Sequence, residues 1–344
     1  MARSKWISIP LKILRWAGIA LLALLITGLS YERFAARQAA RQFPPPGRMI
    51  SVGEHRLHID CRGTGSPMLL LESGAQLWSS GWRHIHNDLR SDYRVCAYDR
   101  SGLGWSNPGA GPYDAEQAVQ ELNALLNGAQ EERPFIYVGH SLGGMLARVY
   151  HRQFPEEIAA AVYIDSGEPE LVISDFEAAR DDPPRPCGFL CKSQVAAAYL
   201  GVPRIVLSQL DLLDDASYPP DAVAEFRALA PHPQALRSAL LIARNLPKAA
   251  FQTLDAGHIN NRPVLVLYSG NYGEMVSDGE PEEEMQRWRN AYFSRWRHAV
   301  EVSPGGVGPI EIPGSNHLTV IVSQPHAIAV ADEIRKFVTG LQDR

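Results

Sequence analysis

Cysteine is scarce: Cys61, Cys96, Cys187 and Cys191 are the four in 344 residues. So few exclude a disulfide scaffold as the main source of stability. Cys187 and Cys191 are not spaced as C-x-x-C, and no second pair completes a zinc site, so no structural metal is expected. Positive charge is not in excess either. Lys plus Arg number 33 against 38 for Asp plus Glu, a net charge of −5, and the main body carries no basic cluster. That balance argues against nucleic acid as the main partner. With 45% hydrophobic and 21% charged residues, wholesale disorder is excluded. No internal repeat is visible, and the length fits one large domain or two ordinary ones.

One long uncharged run stands out, from Trp16 to Tyr31, preceded by Arg3, Lys5, Lys12 and Arg15. As a helix it spans about 24 Å, slightly less than a bilayer's ~30 Å hydrocarbon core. Trp16 and Tyr31 sit at its ends, where amphipathic rings prefer the membrane interface. A cleaved signal peptide would need small residues soon after the run; Tyr31, Glu32, Arg33 and Phe34 stand there instead. The expectation is an uncleaved signal anchor and spacer over residues 1–43, with Pro44–Pro46 continuing a stiff link to the folded body. The basic lead predicts an extracytoplasmic, periplasmic body; secretion after cleavage is the alternative.

From residue 44 onward, strand signals alternate with amphipathic helices, the pattern of an α/β sheet. Strands are expected over 49–52, 55–61, 68–71, 94–98, 135–138, 158–164, 264–268 and 309–312. Helices are expected over 82–89, 115–126, 142–153 and 327–341. Between Asp165 and Pro263, prolines that include Pro183, Pro184, Pro186, Pro203, Pro219, Pro220 and Pro233 break the chain into short helices without a strong strand pattern. This predicts a core over 44–165 and 263–344 with a helical cap, 166–262, inserted between two strands.

Gly139-His140-Ser141-Leu142-Gly143 matches G-x-S-x-G, directly after an apolar strand and at the start of a helix. A nucleophile elbow requires that context, because a turn so tight admits only small residues beside the serine. A serine hydroxyl needs a base to remove its proton. In the order Ser, acid, His, the base is a late histidine. His317, in Gly314-Ser315-Asn316-His317 after the last strand, is so placed; His326 is a weaker candidate. His140 should point away from the nucleophile and pack or line the pocket. Two backbone N–H groups must hold the oxyanion: Leu142 for one, and Ala75 in the loop Ser73-Gly74-Ala75-Gln76 for the other.

These motifs, with Asp99-Arg100-Ser101-Gly102-Leu103-Gly104-Trp105-Ser106 after the fourth strand, resemble the α/β-hydrolase superfamily, and most of all its capped bacterial esterase- and lipase-like members. The resemblance implies an eight-stranded, mostly parallel sheet with helices on both faces and a helical cap. It further implies acyl transfer to water through an acyl-enzyme on Ser141, with a small-molecule acyl substrate and no metal or organic cofactor. Serine rather than aspartate at the elbow speaks against the dehalogenase and epoxide hydrolase chemistries of the superfamily. Peptidase, amidase or acyltransferase activity would use the same residues, and a non-catalytic binding protein on this fold is the rival class. Ser73-Gly74 replaces the His-Gly often found in the family's oxyanion loop. Asp99 is expected to brace its turn rather than to catalyse.

The acid that orients His317 has two topological positions. Asp165 ends the strand after the nucleophile, as in a lipase-like subset; Glu274 and Asp278 follow the next strand, the commoner position. Asp165 is preferred. In an oxidising compartment Cys187 and Cys191 are expected to pair, since four positions along a helix bring two Cα atoms about 6 Å apart. Cys61 and Cys96, on separate strands, are expected to be free core residues. The sequence does not indicate an oligomeric state.

Overall fold

Gly53, at φ 59°, turns β1 (Arg48–Val52) back onto β2 (His55–Arg62) as an antiparallel pair. The remaining strands are β3 (Leu69–Glu72), β4 (Val95–Tyr98), β5 (Phe135–His140), β6 (Ile158–Ile164), β7 (Val264–Ser269) and β8 (Val307–Ile312). The computed structural model describes residues 11–173, 180–181, 183–209, 219–271 and 282–343. Strand order is β1-β2-β4-β3-β5-β6-β7-β8, parallel from β4 onward. β3, β4 and β5 are buried at every residue, as parallel strands covered on both faces must be. The eight-stranded, mostly parallel sheet expected from the sequence is present.

In chain order the helices are α1 (Leu11–Gln42), α2 (Arg83–Leu89), α3 (Ala115–Ala129), α4 (Leu142–Gln153), α5 (Pro169–Val172), α6 (Phe189–Tyr199), α7 (Val202–Gln209), α8 (Pro220–Leu229), α9 (Pro233–Ala256), α10 (Glu282–Glu301), α11 (Thr319–Val322) and α12 (Gln324–Gln342). Leu122 and Leu126 of α3 and Tyr150 of α4 close one face of the sheet with Tyr137 and Phe135. Ile85 and Leu89 of α2 and Ile334 and Val338 of α12 close the other over Leu69, Val162 and Leu265. Helices α5–α9 all lie between β6 and β7, and α8 and α9 start with proline in the first turn, where its missing N–H costs nothing.

Two expectations need correction. Cys61 and Cys96 are not free: they form a disulfide. They are directly opposite in the antiparallel β2–β4 pair, with Cα atoms 4.0 Å apart, close to the shorter cross-strand spacing that suits a bridge. Strand register, which composition does not reveal, created that proximity. Cys187 and Cys191 are also joined, with Cα atoms 5.2 Å apart. The second correction concerns the N-terminal segment, which is more than a leader ahead of the fold. Although α1 is long and apolar enough to cross a membrane by length and composition, its C-terminal half docks on the inserted helices. Glu32 is buried in a two-point ion pair with Arg204 of α7, at 2.8 and 2.9 Å.

The C-terminal end of α9 is tied to α4 by Arg148, whose Nε donates to the Gly257 carbonyl at 2.7 Å. The neighbouring His258 is pushed down to about 4 by burial, with Arg148 and His298 adding repulsion. An unfolded histidine takes up its proton near 6.5. Between those values the unfolded chain binds the extra proton, so stability falls as pH drops from about 6.5 toward 4. Thermal unfolding across that window should show Tm falling by several degrees, with a shallower fall in His258→Gln. Parallel slopes in the two proteins would remove His258 as the cause.

Candidate active site

The G-x-S-x-G turn is legible atom by atom. Ser141 follows β5 at φ 54°, ψ −118°, a conformation that L-residues avoid and that costs on the order of 1–3 kcal/mol. A Cβ on Gly139 would lie 2.5 Å from the Gly143 backbone, and one on Gly143 would lie 2.4 Å from the Glu72 carbonyl. Both positions therefore exclude any side chain. The strain is held by packing on β3 and by the Gly144 and Gly167 N–H groups, each donating to the Ser141 carbonyl at 3.1 Å.

Register sets the next residue. His140 pairs with Ile164 across β5 and β6, so the residues that follow, Ser141 and Asp165, leave the sheet at the same level. Asp165 is also in the left-handed region, at φ 43°, and its side chain is fully buried. Its Oδ1 accepts the Ser269 N–H at 2.7 Å, and its Oδ2 lies 3.4 Å from His317 Nδ1. His317 is held in turn by its own backbone: its carbonyl is 2.7 Å from His140 Nε2, and the two rings lie 4.6 Å apart. Burial, followed by the neighbouring His317, drives the His140 pKa well below the usual histidine value, which keeps the ring neutral. Asn316 fixes the loop by accepting the Leu318 and Thr319 N–H groups, at 3.1 and 2.8 Å.

Ser141 and His317 share a cavity of about 370 Å³ at the carboxyl ends of the parallel strands, where α/β sheets bind ligands. Its walls include Leu77, Trp78, Val223 and Phe226, an apolar lining with few polar groups. Ala75 lines it as well, and a Cβ on Gly74 would meet Ser141 Cβ at 3.2 Å, so the loop from Ser73 to Gln76 touches the elbow. Leu142 opens α4, where the first N–H groups of a helix have no partner within it. His326 lies in the first turn of α12 and does not line the cavity. Glu274 and Asp278 fall outside the described residues. Asp99 braces its own turn, accepting the Ser79 and Trp105 N–H groups, each at 2.9 Å.

Arg100 is the residue that sequence reasoning passed over. Buried beneath the loop that starts at Ser73, it donates to the Ser73 carbonyl at 2.6 Å and also to the Gly74 carbonyl and the Glu72 carboxyl group. Burial pushes the Glu72 carboxyl up, while Arg100, Tyr98 and Tyr137 pull it back. Its position in the Asp99–Ser106 motif was the available signal. Arg100→Lys keeps the charge but loses the planar fork that reaches three acceptors. If this loop supplies an oxyanion donor, as the sequence suggests, we expect about a tenfold fall in kcat at unchanged KM, because a loosened loop forfeits part of that donor's contribution. A fall confined to KM would contradict this role.

A family model described as the alpha/beta hydrolase family matches residues 57–331, which contain the elbow, Asp165 and His317. The chain belongs to the α/β-hydrolase family. Among curated relatives, epoxide hydrolase 3 of Siraitia grosvenorii is 31% identical over 192 residues, 53% of this chain and 60% of that one. An uncharacterized vacuolar membrane protein of Saccharomyces cerevisiae is 25% identical over 173 residues, 45% of this chain and 25% of the relative. The chain spans between 18% and 52% of the length of the curated relatives matched more strongly than that epoxide hydrolase. Among solved structures, a putative lipase of Acinetobacter baumannii superposes with a TM-score of 0.60 at 17% identity, covering 91% of this chain and 97% of that one. At that identity the likeness shows the fold.

Proposed function

We propose that this hydrolase cleaves a carboxyl ester through an acyl-enzyme on Ser141, with His317 as base and Asp165 as the carboxylate that orients it. The carrying observation is the strained Ser141 in one apolar cavity with His317, whose Nδ1 faces the buried Asp165. In this reading Ser141 Oγ attacks the ester carbonyl carbon while its proton passes to His317 Nε2. The oxygen that gains charge is held by the N–H groups of Leu142 and Ala75. Collapse breaks the carbon–oxygen bond, and the alcohol leaves with the proton from His317. Water then repeats the sequence on the acyl-serine, releasing the acid and restoring Ser141.

Relatives named as epoxide hydrolases do not transfer that activity to this site. A serine hydroxyl opening an epoxide would leave an ether, which has no carbonyl for water to attack. A carboxylate nucleophile leaves a hydrolysable ester instead. Serine at the elbow therefore favours acyl chemistry. The apolar lining suits an apolar acyl or alcohol group, with the helices from α5 to α9 as a cap over it. Glu225 of α8 supports that placement, accepting from Trp78 Nε1 at 3.2 Å and from Arg83 at 2.8 Å across the cavity rim.

In the same reading α1 is a membrane anchor, and the basic residues Lys12 and Arg15 at its start place the body on the extracytoplasmic, periplasmic side. Two disulfides support an oxidising compartment, and one relative is described as a vacuolar membrane protein. A fluorophosphonate probe should label the full-length protein, and Ser141→Ala should abolish labelling. Equal labelling of both would overturn the assignment.

A further inference from the structure

The anchor and the cap meet at one defined level of α1. A Cβ on Gly28 would lie 3.0 Å from the Leu200 carbonyl, and one on Gly201 would lie 2.5 Å from the Tyr31 ring. The corner between α6 and α7 therefore rests on α1 between Gly28 and Glu32, where the buried Glu32–Arg204 pair locks it. That stretch is the last turn of the uncharged run with Glu32 directly after it, just before Arg33, Arg37 and Arg41, all of them exposed. Whatever bilayer depth this end of the run occupies, the α6–α7 corner occupies it too.

The corner presents an apolar surface there. Val202, Ile205 and Val206 follow the i, i+3, i+4 spacing of one helical face, and each is between 44% and 51% exposed. Arg204 points the other way, into Glu32 and the Ala228 carbonyl of α8 at 2.8 Å. Tyr199, 51% exposed, stands at the end of α6, an amphipathic ring of the kind that favours an interface. Single exposed apolar residues are ordinary, but a contiguous face beside a membrane helix is not. On its far side α8 lines the cavity through Ala222, Val223 and Phe226, and Phe226 stacks on Trp78 with ring centroids 5.3 Å apart. One helix thus separates this surface from Ser141.

We infer that the exposed face of α7, with Tyr199, lies in the interfacial layer of the bilayer that α1 spans, and that the substrate is an ester with an apolar chain taken from that bilayer. This rests on the readings of α1 as an anchor and of Ser141 as an esterase nucleophile. Burying apolar side chains in the interface contributes roughly in proportion to their area, and the Glu32–Arg204 pair fixes the depth at which α7 can do so.

The test uses the full chain in phosphatidylcholine nanodiscs, with an environment-sensitive fluorophore on Ile205→Cys and, in a second protein, on Lys336→Cys of α12, which is exposed at 71%. The Ile205 probe should emit to the blue and be quenched by lipids carrying a nitroxide near the headgroup, while aqueous iodide quenches only the Lys336 probe. Iodide quenching the two equally would overturn the immersion. The triple variant Val202→Ser, Ile205→Ser, Val206→Ser should hydrolyse soluble p-nitrophenyl butyrate at the wild-type rate. Its rate on p-nitrophenyl palmitate embedded in the disc should fall tenfold or more. Unchanged rates on both esters would overturn the substrate class. If the wild type cleaves neither ester, the esterase reading fails with the substrate class, and the quenching result alone decides where α7 lies.

Discussion

Ser141→Ala is expected to lower ester turnover by about 10⁶-fold, the scale set by removing a serine nucleophile from another hydrolase, and to leave the fold intact. Alanine occupies the same φ of 54° as serine with no added atoms, so the elbow loses its hydroxyl and nothing else. On the proposed mechanism, what remains is binding and the pull of the Leu142 and Ala75 N–H groups on the carbonyl oxygen. Steady-state rates on p-nitrophenyl butyrate, with a thermal melt of the same sample, separate lost chemistry from lost structure. Wild-type turnover in the variant would remove Ser141 from the mechanism.

Asp165→Asn should cost about 10⁴ in kcat, following the loss seen when a triad carboxylate becomes an amide. The geometry explains why. Oδ1 accepts the Ser269 N–H, so the asparagine oxygen keeps that place and its NH₂ group turns toward His317 Nδ1. Facing a donor, Nδ1 must give up its proton, which moves to Nε2. The base then cannot take the Ser141 proton. If Asp165→Asn keeps its rate while Glu274→Gln loses it, the acid is Glu274 instead.

Much of this site can be read from the chain because its constraints are local. G-x-S-x-G follows from contacts within five residues and one neighbouring strand, since Gly139 meets Gly143 and Gly143 meets Glu72. The buried strands announce themselves because a parallel strand covered on both faces must be apolar throughout. The alanine-rich Ile158–Ile164 is a strand as expected, held between β5 and β7. Boundaries drifted where caps decide them: the last helix starts at Gln324 rather than 327, with proline in its first turn.

Residue types and their order along the chain determined the fold class and the elbow, and offered the late histidine and the strand-end aspartate as candidate partners for its serine. Tertiary structure decided whatever depends on two distant segments meeting. Sheet register placed Cys61 opposite Cys96 and Asp165 level with Ser141. Burial turned Arg100 from one basic residue among 33 into a clamp on the Ser73 and Gly74 carbonyls beside the elbow. Packing carried the N-terminal helix past its apolar run and onto the helices inserted between β6 and β7 through Glu32 and Arg204. A carboxylate and a guanidinium far apart in sequence carry no mark of their partner, because an ion pair is specified by position in space and not by spacing along the chain.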